Sequence, residues 1–320
     1  MRVLVVKTSS MGDLVHTLPA LTDATNACGD IRFDWVCEPA FSDIPRWHPS
    51  VGDVLAIPLR RWKGQLHRLL FSHDLAAFKQ VLGSERYDVV IDAQGLLKSA
   101  FLIARFTDGP KHGFDRRSAK EGMAASVYNV KHRVARSRHA ILRTRELFAK
   151  SLGYSVPDIA PDASIDLGRP QALADRLVLV TQTSRQSKCW ISDRWRAVIE
   201  DAIPQFSEIV LPVGSEIDYE LVSDMTDGLP VRILNQASLD DVAFEISGAR
   251  AVVSVDTGLA HVADALGIEM LALFGPTKPR LVGPVGERSQ ILKSPTGKMA
   301  DITAAAVMDW ISQTGKASAS

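Results

Sequence analysis

Two short motifs near opposite ends of the chain carry the residue types that could do chemistry on a phosphorylated substrate. One is Asp256-Thr257-Gly258-Leu259-Ala260-His261, which lies between an apolar run and a helix-like run. This pattern predicts a strand, a tight turn and a helix, and the first backbone N–H groups of such a helix stabilise a phosphate. Gly258 allows the phosphate to approach the backbone, and His261 adds a hydrogen-bond donor. The alternative is that Asp256 only caps the helix and that His261 is an ordinary polar residue.

The second motif follows the strand-like run Arg2–Lys7 and reads Thr8-Ser9-Ser10-Met11-Gly12-Asp13-Leu14. It again predicts a strand, a loop of small residues and a helix, but here a carboxylate stands at the helix start. A carboxylate in that position suits removal of a proton from a hydroxyl group better than binding of a phosphate. The alternative is that Asp13 is only a helix N-cap. Two such turns, one in each half of the chain, predict a cleft between two domains.

Two further loops carry groups that suit a nucleotide sugar. Thr183, Ser184 and Lys188 follow a predicted strand and offer two hydroxyls and a positive charge to a pyrophosphate. The loop 214–218 follows the next strand and offers the carboxylate of Asp218 to a ribose diol. Ligands of open parallel sheets bind at the carboxyl ends of the strands, so we expect these loops to converge on the cleft. Each loop taken alone could equally be an ordinary surface loop.

The elements that must position these loops are short β-branched runs that alternate with helical stretches. This alternation is typical of parallel sheets with crossover helices, so it predicts an α/β protein with two Rossmann-like domains. The segment 154–170 has three prolines and little periodicity, and it is the predicted linker. The predicted strands are 2–7, 33–37, 54–57, 89–92, 177–182, 208–213, 231–234, 251–255 and 270–274, and the predicted helices include 75–82, 193–202 and 239–246.

Length and composition bound the class of protein. With 320 residues and 46% hydrophobic content, the chain is long enough for two domains that each bury a core. Its longest apolar runs are far shorter than the ~20 residues that cross a bilayer, and Met1 leads directly into a strand and not into a secretion signal. The three cysteines lack metal-ligand spacing and are interpreted as free thiols. These features together predict a cytoplasmic location.

The charge is distributed unevenly between the two halves. Residues 1–160 carry 23 Lys and Arg against 16 Asp and Glu, whereas residues 161–320 carry 14 against 21. The first half is therefore expected to face an anionic partner, either a nucleic acid or an anionic membrane surface, unless the basic residues only form a solvated face. Few aromatic residues accompany the basic ones, which argues against nucleic acid. The densest basic residues are Lys111, Arg116, Arg117, Lys120, Lys131, Arg133, Arg136, Arg138, Arg143 and Arg145, with a second cluster at Arg60, Arg61 and Lys63.

Several motifs are absent from the sequence, and each absence narrows the chemistry. Neither G-x-G-x-x-G nor G-x-x-x-x-G-K-[ST] follows a predicted strand, which disfavours an NAD-dependent epimerase and P-loop phosphoryl transfer. No G-x-S-x-G elbow occurs. Without D-x-D or a His/Cys cluster the sequence predicts no metal site, so the charge of a diphosphate must be neutralised by Lys188, helix termini and hydroxyls.

Four segments together resemble a known family. They are 5–21, Asp92-Ala93-Gln94-Gly95-Leu96, Arg145-Glu146-Leu147-Phe148 and 253–261, and they resemble the lipopolysaccharide heptosyltransferases of glycosyltransferase family 9. The resemblance spans nearly the whole chain. The Ser-Ser-Met-Gly-Asp form of the first loop is similar to heptosyltransferase I members rather than to heptosyltransferase II members.

The resemblance implies a GT-B architecture, in which two Rossmann-like domains with parallel sheets face each other across a cleft that closes during the reaction. The implied domains are an acceptor-binding domain 1–160, a donor-binding domain 170–301 and a C-terminal segment 302–320 whose helix packs back towards the first domain. The implied reaction transfers L-glycero-D-manno-heptose from ADP-heptose to the first Kdo of Kdo2-lipid A, with inversion and without a metal or other cofactor. It implies a protein attached peripherally to the cytoplasmic face of the inner membrane, with an anionic membrane surface as a partner and no nucleic acid.

The resemblance also implies roles for individual residues. The family's catalytic base corresponds to Asp13. Two donor positions depart from the family pattern: Asp218 stands where a glutamate is expected on the ribose, and Ala237 stands where a methionine lines the nucleotide pocket. The implied donor-binding residues are Thr183, Ser184, Lys188, Asp218, Ala237, Asp256, Thr257, Gly258 and His261, and the implied acceptor-binding residues are Ser10, Arg60, Arg61, Lys63 and Lys120.

Two other functions remain open at this stage. A protein of the same fold could bind a nucleotide sugar without catalysing its transfer, and Asp13 would then only cap its helix. A related heptosyltransferase could use another core acceptor. Release of ADP from ADP-heptose in the presence of acceptor distinguishes an enzyme from a binding protein.

Overall fold

The computed structural model describes residues 1–59, 80–169 and 172–314. The chain divides into two compact units, residues 1–166 and 167–320. Each unit contains one six-stranded sheet, and the strands within each sheet are parallel. The predicted α/β class with two Rossmann-like domains is therefore confirmed.

The first unit has the strand order β3-β2-β1-β4-β5-β6. Its long helices α2 and α5 pack against each other, and an apolar cluster from β1, β2 and β4 is buried beneath one face of the sheet. The elements are β1 (Arg2–Val6), α1 (Met11–Val15), α2 (Leu18–Cys28), β2 (Arg32–Cys37), α3 (Asp43–Arg46), β3 (Val51–Ala56), β4 (Val89–Asp92), α4 (Leu97–Leu102), β5 (Lys111–Phe114), β6 (Val130–His132) and α5 (Ala140–Leu152).

The second unit has the strand order β12-β11-β10-β7-β8-β9. Successive residues of its central strands enter two different clusters: Leu177 and Leu179 belong to one, Val178 and Val180 to the other. Both faces of the sheet are thus buried, as alternating side chains of a covered parallel sheet require. The elements are β7 (Ala174–Val180), α6 (Ser192–Ala202), β8 (Glu208–Pro212), α7 (Glu216–Met225), β9 (Arg232–Leu234), α8 (Leu239–Ser247), β10 (Ala249–Val255), α9 (Gly258–Ala265), β11 (Met270–Phe274), α10 (Pro279–Val282), β12 (Ser289–Lys293) and α11 (Ala304–Thr314).

The two sheets have the same strand topology, and this topology predicts where a ligand-binding site lies. In each sheet the direction of strand addition reverses between two central neighbours, β1 and β4 in the first and β7 and β10 in the second. Ligands of open α/β sheets bind outside the carboxyl ends of the strands at this reversal. The loops that follow these four strands are therefore expected to form the ligand-binding sites.

All nine predicted strands are present, β4 and β11 with the predicted bounds and the others with shifted ends, but three further strands in the described residues were not predicted. The strands β5, β6 and β12 contain lysine, histidine, serine or glutamine, and β6 and β12 lie at sheet edges. Short, polar edge strands lack the apolar alternation on which the prediction depends. The basic segment 111–145 contains β5, β6 and the start of α5. Of the predicted helix 75–82, residues 75–79 lie outside the described residues.

The predicted linker is anchored to the first unit by Arg145. The guanidinium group of Arg145 is buried, donates to both carboxylate oxygens of Asp23 at 2.6 and 3.1 Å, and also donates to the carbonyls of Pro157 and Ile159. A buried pair that also satisfies backbone acceptors avoids leaving a charge unpaired. The first part of the linker therefore belongs structurally to the first unit, which ends at Asp166.

The C-terminal helix α11 packs against α6 in the second unit. Its side chains Val307, Trp310 and Ile311 are buried in the apolar core of that unit. The observed helix, Ala304–Thr314, lies within the predicted C-terminal segment 302–320. Packing of this helix towards the first domain stays a prediction.

Candidate active site

Asp13 lies on α1, directly beyond the carboxyl end of β1. It is the third residue of the helix, and Ser10 is the N-cap. The backbone N–H of Ser10 donates to Asp13 Oδ2 at 3.2 Å. Ser10, and not Asp13, is therefore the N-cap, but Asp13 lies in the first turn of α1 and its carboxylate accepts the N-cap N–H, as in a capping box. A catalytic role for Asp13 beyond this contact stays a prediction.

Two lysines hold the Asp13 carboxylate between them. Lys7 Nζ is 3.6 Å from Oδ1 and Lys120 Nζ is 3.4 Å from Oδ2. Burial by itself would raise the pKa of Asp13, but the two lysines and the Ser10 amide outweigh it and keep that pKa well below its ordinary value. The group is therefore ionised at neutral pH and can accept a proton.

This arrangement has a consequence for the pH profile. A general base acts only when deprotonated, so activity falls as the pH drops through the pKa of Asp13, which lies below the ordinary value of about 4. In Lys120→Gln one stabilising charge is lost while burial remains, so the pKa of Asp13 rises. The acid limb of kcat/KM lies below about pH 4 in the parent enzyme and should move to higher pH in Lys120→Gln, measured from about pH 3 to 8.

The control is Arg117→Gln, which changes an exposed basic residue of the same segment. It should leave the acid limb unchanged, whatever it does to the level of activity. An acid limb at the same pH in Lys120→Gln and in the parent enzyme would contradict the coupling between Lys120 and Asp13.

The loop after β4 meets the loop after β1. Gln94 Oε1 accepts hydrogen bonds from the backbone N–H groups of Thr8 at 2.9 Å and Ser9 at 3.2 Å. Lys7 Nζ donates to the carbonyl of Ala93 at 3.1 Å, and the Lys7 side chain is almost completely buried. Burial lowers the pKa of Lys7, while the neighbouring Asp13 opposes that effect. Sequence reasoning assigned no role to Lys7 or Gln94, although Gln94 stands in a motif at the carboxyl end of a predicted strand.

Basic side chains surround Asp13 within the first unit. Arg136 donates to the backbone carbonyl of Lys120 at 3.4 Å, and Arg143 donates to the carbonyl of Ser118 at 2.7 Å. Burial lowers the pKa of Arg143, and the carboxylate of Asp13 opposes that effect. The structure thus brings the predicted residues Ser10 and Lys120 to Asp13. The predicted residues Arg60, Arg61 and Lys63 lie outside the described residues.

A second group of predicted residues meets in the second unit, at the carboxyl ends of β7 and β10. Lys188 Nζ is 2.8 Å from Asp256 Oδ2, and the hydroxyl of Thr183 donates to the backbone carbonyl of Asp256 at 3.3 Å. The hydroxyl of Thr277 also donates to the Asp256 carboxylate. Sequence reasoning missed Thr277, which follows β11 in the segment Gly275-Pro276-Thr277.

The helix after this turn begins as predicted. Thr257 is the N-cap of α9, and the described helix receives no capping hydrogen bond from the Thr257 side chain. The alternative that Asp256 caps the helix is therefore wrong, because the Asp256 carboxylate pairs with Lys188 instead. Gly258 is the first helical residue, and His261 is buried one turn later. A helix start in this position suits a phosphate group.

The remaining predicted donor residues lie on neighbouring elements of the second unit. Ser184 is exposed in the loop after β7. Asp218 is partly buried on α7, where its carboxylate accepts a hydrogen bond from the hydroxyl of the N-cap Ser215 at 2.7 Å. Ala237 packs against the apolar cluster next to α8 and α9.

The described ranges contain no group of three or more His, Cys, Asp or Glu side chains that could hold a metal ion. A search of the same part of the chain finds no helix that is long and apolar enough to cross a membrane.

Comparison with known proteins identifies the family. The family model described as glycosyltransferase family 9 (heptosyltransferase) matches residues 75–311. Lipopolysaccharide heptosyltransferase 1 of Escherichia coli K12 is 42% identical and aligns over 98% of this chain and 99% of its own length. The chain belongs to glycosyltransferase family 9. Its members named heptosyltransferase 2 are more distant, since that of Escherichia coli K12 is 21% identical over 93% of this chain. The predicted similarity to heptosyltransferase I is thus confirmed.

Solved structures of this family agree with the fold. The structure of E. coli heptosyltransferase WaaC with ADP matches with a TM-score of 0.92 at 42% identity, and the match covers 98% of this chain and 100% of that chain. The structure of E. coli WaaC with ADP-2-deoxy-2-fluoro heptose has a TM-score of 0.90 at 41% identity, with 98% and 99% covered. The GT-B fold class follows from this match, and membership of the family makes the chain a glycosyltransferase.

Proposed function

We propose that this glycosyltransferase transfers L-glycero-D-manno-heptose from ADP-heptose to the first Kdo of Kdo2-lipid A, with inversion. The observation that carries the proposal is a single ionised carboxylate, Asp13, held by Lys7 and Lys120 at the carboxyl end of β1. A single displacement needs one base and no second carboxylate as nucleophile. Two solved relatives, at 42% and 41% identity over 98% of this chain, support the choice of donor, because they are E. coli WaaC with ADP and with ADP-2-deoxy-2-fluoro heptose.

In the proposed reaction the Kdo hydroxyl oxygen attacks the anomeric carbon of the heptose. Its proton passes to the Asp13 carboxylate, and the bond from the anomeric carbon to the diphosphate oxygen breaks. The negative charge leaves on ADP, where Lys188 and the backbone N–H groups at the start of α9 stabilise it. Thr183, Ser184, Thr257, Gly258 and His261 are the proposed donor contacts around the diphosphate and sugar, with Asp218 and Ala237 at the nucleoside.

An anionic acceptor suits the charge around Asp13. Kdo carries a carboxylate, and Lys120 is exposed enough to bind it while remaining near Asp13. We propose that this contact shares the Lys120 charge between two carboxylates, so that acceptor binding raises the pKa of Asp13 and makes it a better base. Ser10, Arg60, Arg61 and Lys63 are the other proposed acceptor contacts.

The direct test is release of ADP from ADP-heptose in the presence of a Kdo2-lipid A acceptor. We expect turnover that depends on both substrates. UDP- and GDP-sugars serve as negative controls, with release of UDP or GDP measured in place of ADP. A protein that binds ADP-heptose but releases no ADP with this acceptor would instead be a nucleotide-sugar-binding protein. Turnover only with a longer core acceptor would indicate a related heptosyltransferase.

Activity should not depend on a metal ion. The sequence lacks D-x-D, and Lys188 together with the α9 amides can neutralise the leaving diphosphate. We therefore expect kcat and KM to stay the same, within error, after dialysis against EDTA. Loss of turnover on chelation that Mg²⁺ or Mn²⁺ restores would contradict this expectation.

We also propose peripheral attachment to an anionic membrane on the cytoplasmic face of the inner membrane, because the acceptor is a phosphorylated lipid and the first half of the chain is basic. Reversing Arg60, Arg61 and Lys63 to glutamate should weaken binding to vesicles that contain anionic lipid and raise KM for the acceptor. Both effects should diminish as salt is added.

A matched control reverses three exposed basic residues of the second unit, Arg280, Arg288 and Lys298. This variant carries the same change of net charge, so a purely global charge effect would weaken vesicle binding equally in both. Equal weakening, or none in the first variant, would contradict a specific role for the basic cluster 60–63.

A further inference from the structure

We propose that Gln94 is a positioning residue for the transfer reaction and that it acts through Asp13, by holding the loop after β1 that orients the carboxylate. The inference rests on the proposed function, since it takes Asp13 as the base. Neither the sequence motif nor the chemistry of the proposed step requires a glutamine at this position. The role of Gln94 follows from its contacts in the structure.

Gln94 contacts the loop after β1 through its side-chain oxygen. Gln94 Oε1 accepts from the Thr8 N–H at 2.9 Å, the Ser9 N–H at 3.2 Å and, at 3.5 Å, the Thr8 hydroxyl. The side chain is 3% exposed. Two backbone N–H donors can be satisfied only by an acceptor, which fixes the orientation of the amide with its oxygen towards the loop. Both N–H groups follow Val6, which forms the last residue pair of β1 with β4. The Gln94 side chain therefore binds backbone groups that lie beyond the strand pairing.

Gln94 is itself held in a turn that is bound to the carboxylate of Asp92. The backbone N–H groups of Gln94 and Gly95 donate to Asp92 Oδ1 at 2.9 and 3.1 Å. The other oxygen of Asp92 accepts from the hydroxyls of Ser99 at 2.9 Å and Tyr128 at 2.8 Å. Asp92 is completely buried, and Gly95 adopts φ +65°, which favours glycine. A turn bound on so many sides places the Gln94 side chain rigidly.

The turn is connected to Asp13 through the two neighbours of the Thr8-Ser9 pair, Lys7 and Ser10. Ser10, the next residue after the two that Gln94 holds, donates its backbone N–H to Asp13 Oδ2. Lys7, the residue before them, donates to the carbonyl of Ala93 and lies 3.6 Å from Asp13 Oδ1. Both groups that contact Asp13 from the β1 loop are therefore tied to residues 93–94. The rate of a catalysed step falls when the groups that hold the catalytic side chain shift by a fraction of an ångström.

The test compares two substitutions of similar size at Gln94. Gln94→Met removes the acceptor oxygen and should lower kcat by about 10- to 100-fold, while KM for ADP-heptose stays within about twofold. Gln94→Glu keeps an oxygen in place for the two N–H groups and should restore kcat to within about threefold of the parent. If Gln94→Met does not fold, Gln94→Asn serves instead, because its shorter side chain withdraws the oxygen.

The decisive measurement repeats Gln94→Met in an Asp13→Asn background. If Gln94 acts through Asp13, the second substitution causes little further loss, because the step it supports has already been removed. Equal losses in both backgrounds, parental kcat in Gln94→Met, or no recovery in Gln94→Glu would each overturn the positioning role. Full activity in Asp13→Asn alone would instead overturn Asp13 as the base, so the two failures are distinguishable.

Discussion

Asp13→Asn should lower kcat by about 10²–10⁴-fold, while the affinity for ADP-heptose stays within a few-fold. The amide has the shape of the carboxylate and can still accept the hydrogen bond from the Ser10 N–H, but it cannot take a proton from the acceptor hydroxyl. Donor affinity should persist because the proposed donor contacts lie in the second unit. The measurement is ADP release under saturating donor, together with a titration of ADP-heptose binding.

The structure supplies a matched control for this experiment. Asp241 holds the same third position of α8 behind the N-cap Ser238, whose hydroxyl donates to its carboxylate at 2.6 Å. Asp241→Asn therefore tests what the same substitution does to a helix start without touching the proposed base. We expect its kcat to match the parent. Near-parental kcat in a folded Asp13→Asn enzyme would leave Asp13 a structural residue.

Lys188→Ala should lower kcat by about 10²–10³-fold, the usual loss when one preorganised donor to a developing negative charge is removed. The ammonium group of Lys188 is paired with the carboxylate of Asp256, which is nearly buried. The substitution removes the charge that would stabilise departing ADP and also leaves Asp256 without its cation. We therefore expect weaker donor binding in addition to the loss of kcat.

Two variants separate these effects. Asp256→Ala keeps Lys188 but removes its anchor, so it should mainly raise KM for ADP-heptose. Lys298→Ala changes an exposed lysine of the same unit and should alter neither constant. The readouts are steady-state ADP release and the rise in melting temperature that ADP produces in each variant. Unchanged donor kinetics in both Lys188→Ala and Asp256→Ala would remove the nucleotide site from these loops.

Local pattern was sufficient for most of the architecture. The apolar runs of β1, β4, β10 and β11 were predicted because strands of a covered parallel sheet are apolar nearly throughout. The same logic failed for β5, β6 and β12, whose polar residues resemble those of surface loops. Local pattern also could not place the N-caps relative to the two aspartates, because spacing alone does not distinguish an N-cap from a residue one or three positions away.

The sequence by itself determined the strand–loop–helix units, the chemical groups in their loops and, through its motifs, the family. Only the tertiary structure decided which groups meet. Asp13 contacts Lys120 across 107 positions, Thr8 contacts Gln94 across 86, and Lys188 contacts Asp256 across 68. The physical reason is strand order: β1 neighbours β4, β4 neighbours β5, and β7 neighbours β10, so loops far apart in the chain begin at the same or neighbouring strand ends. Local periodicity specifies each strand, but the pairing of strands arises from burial of the whole sheet.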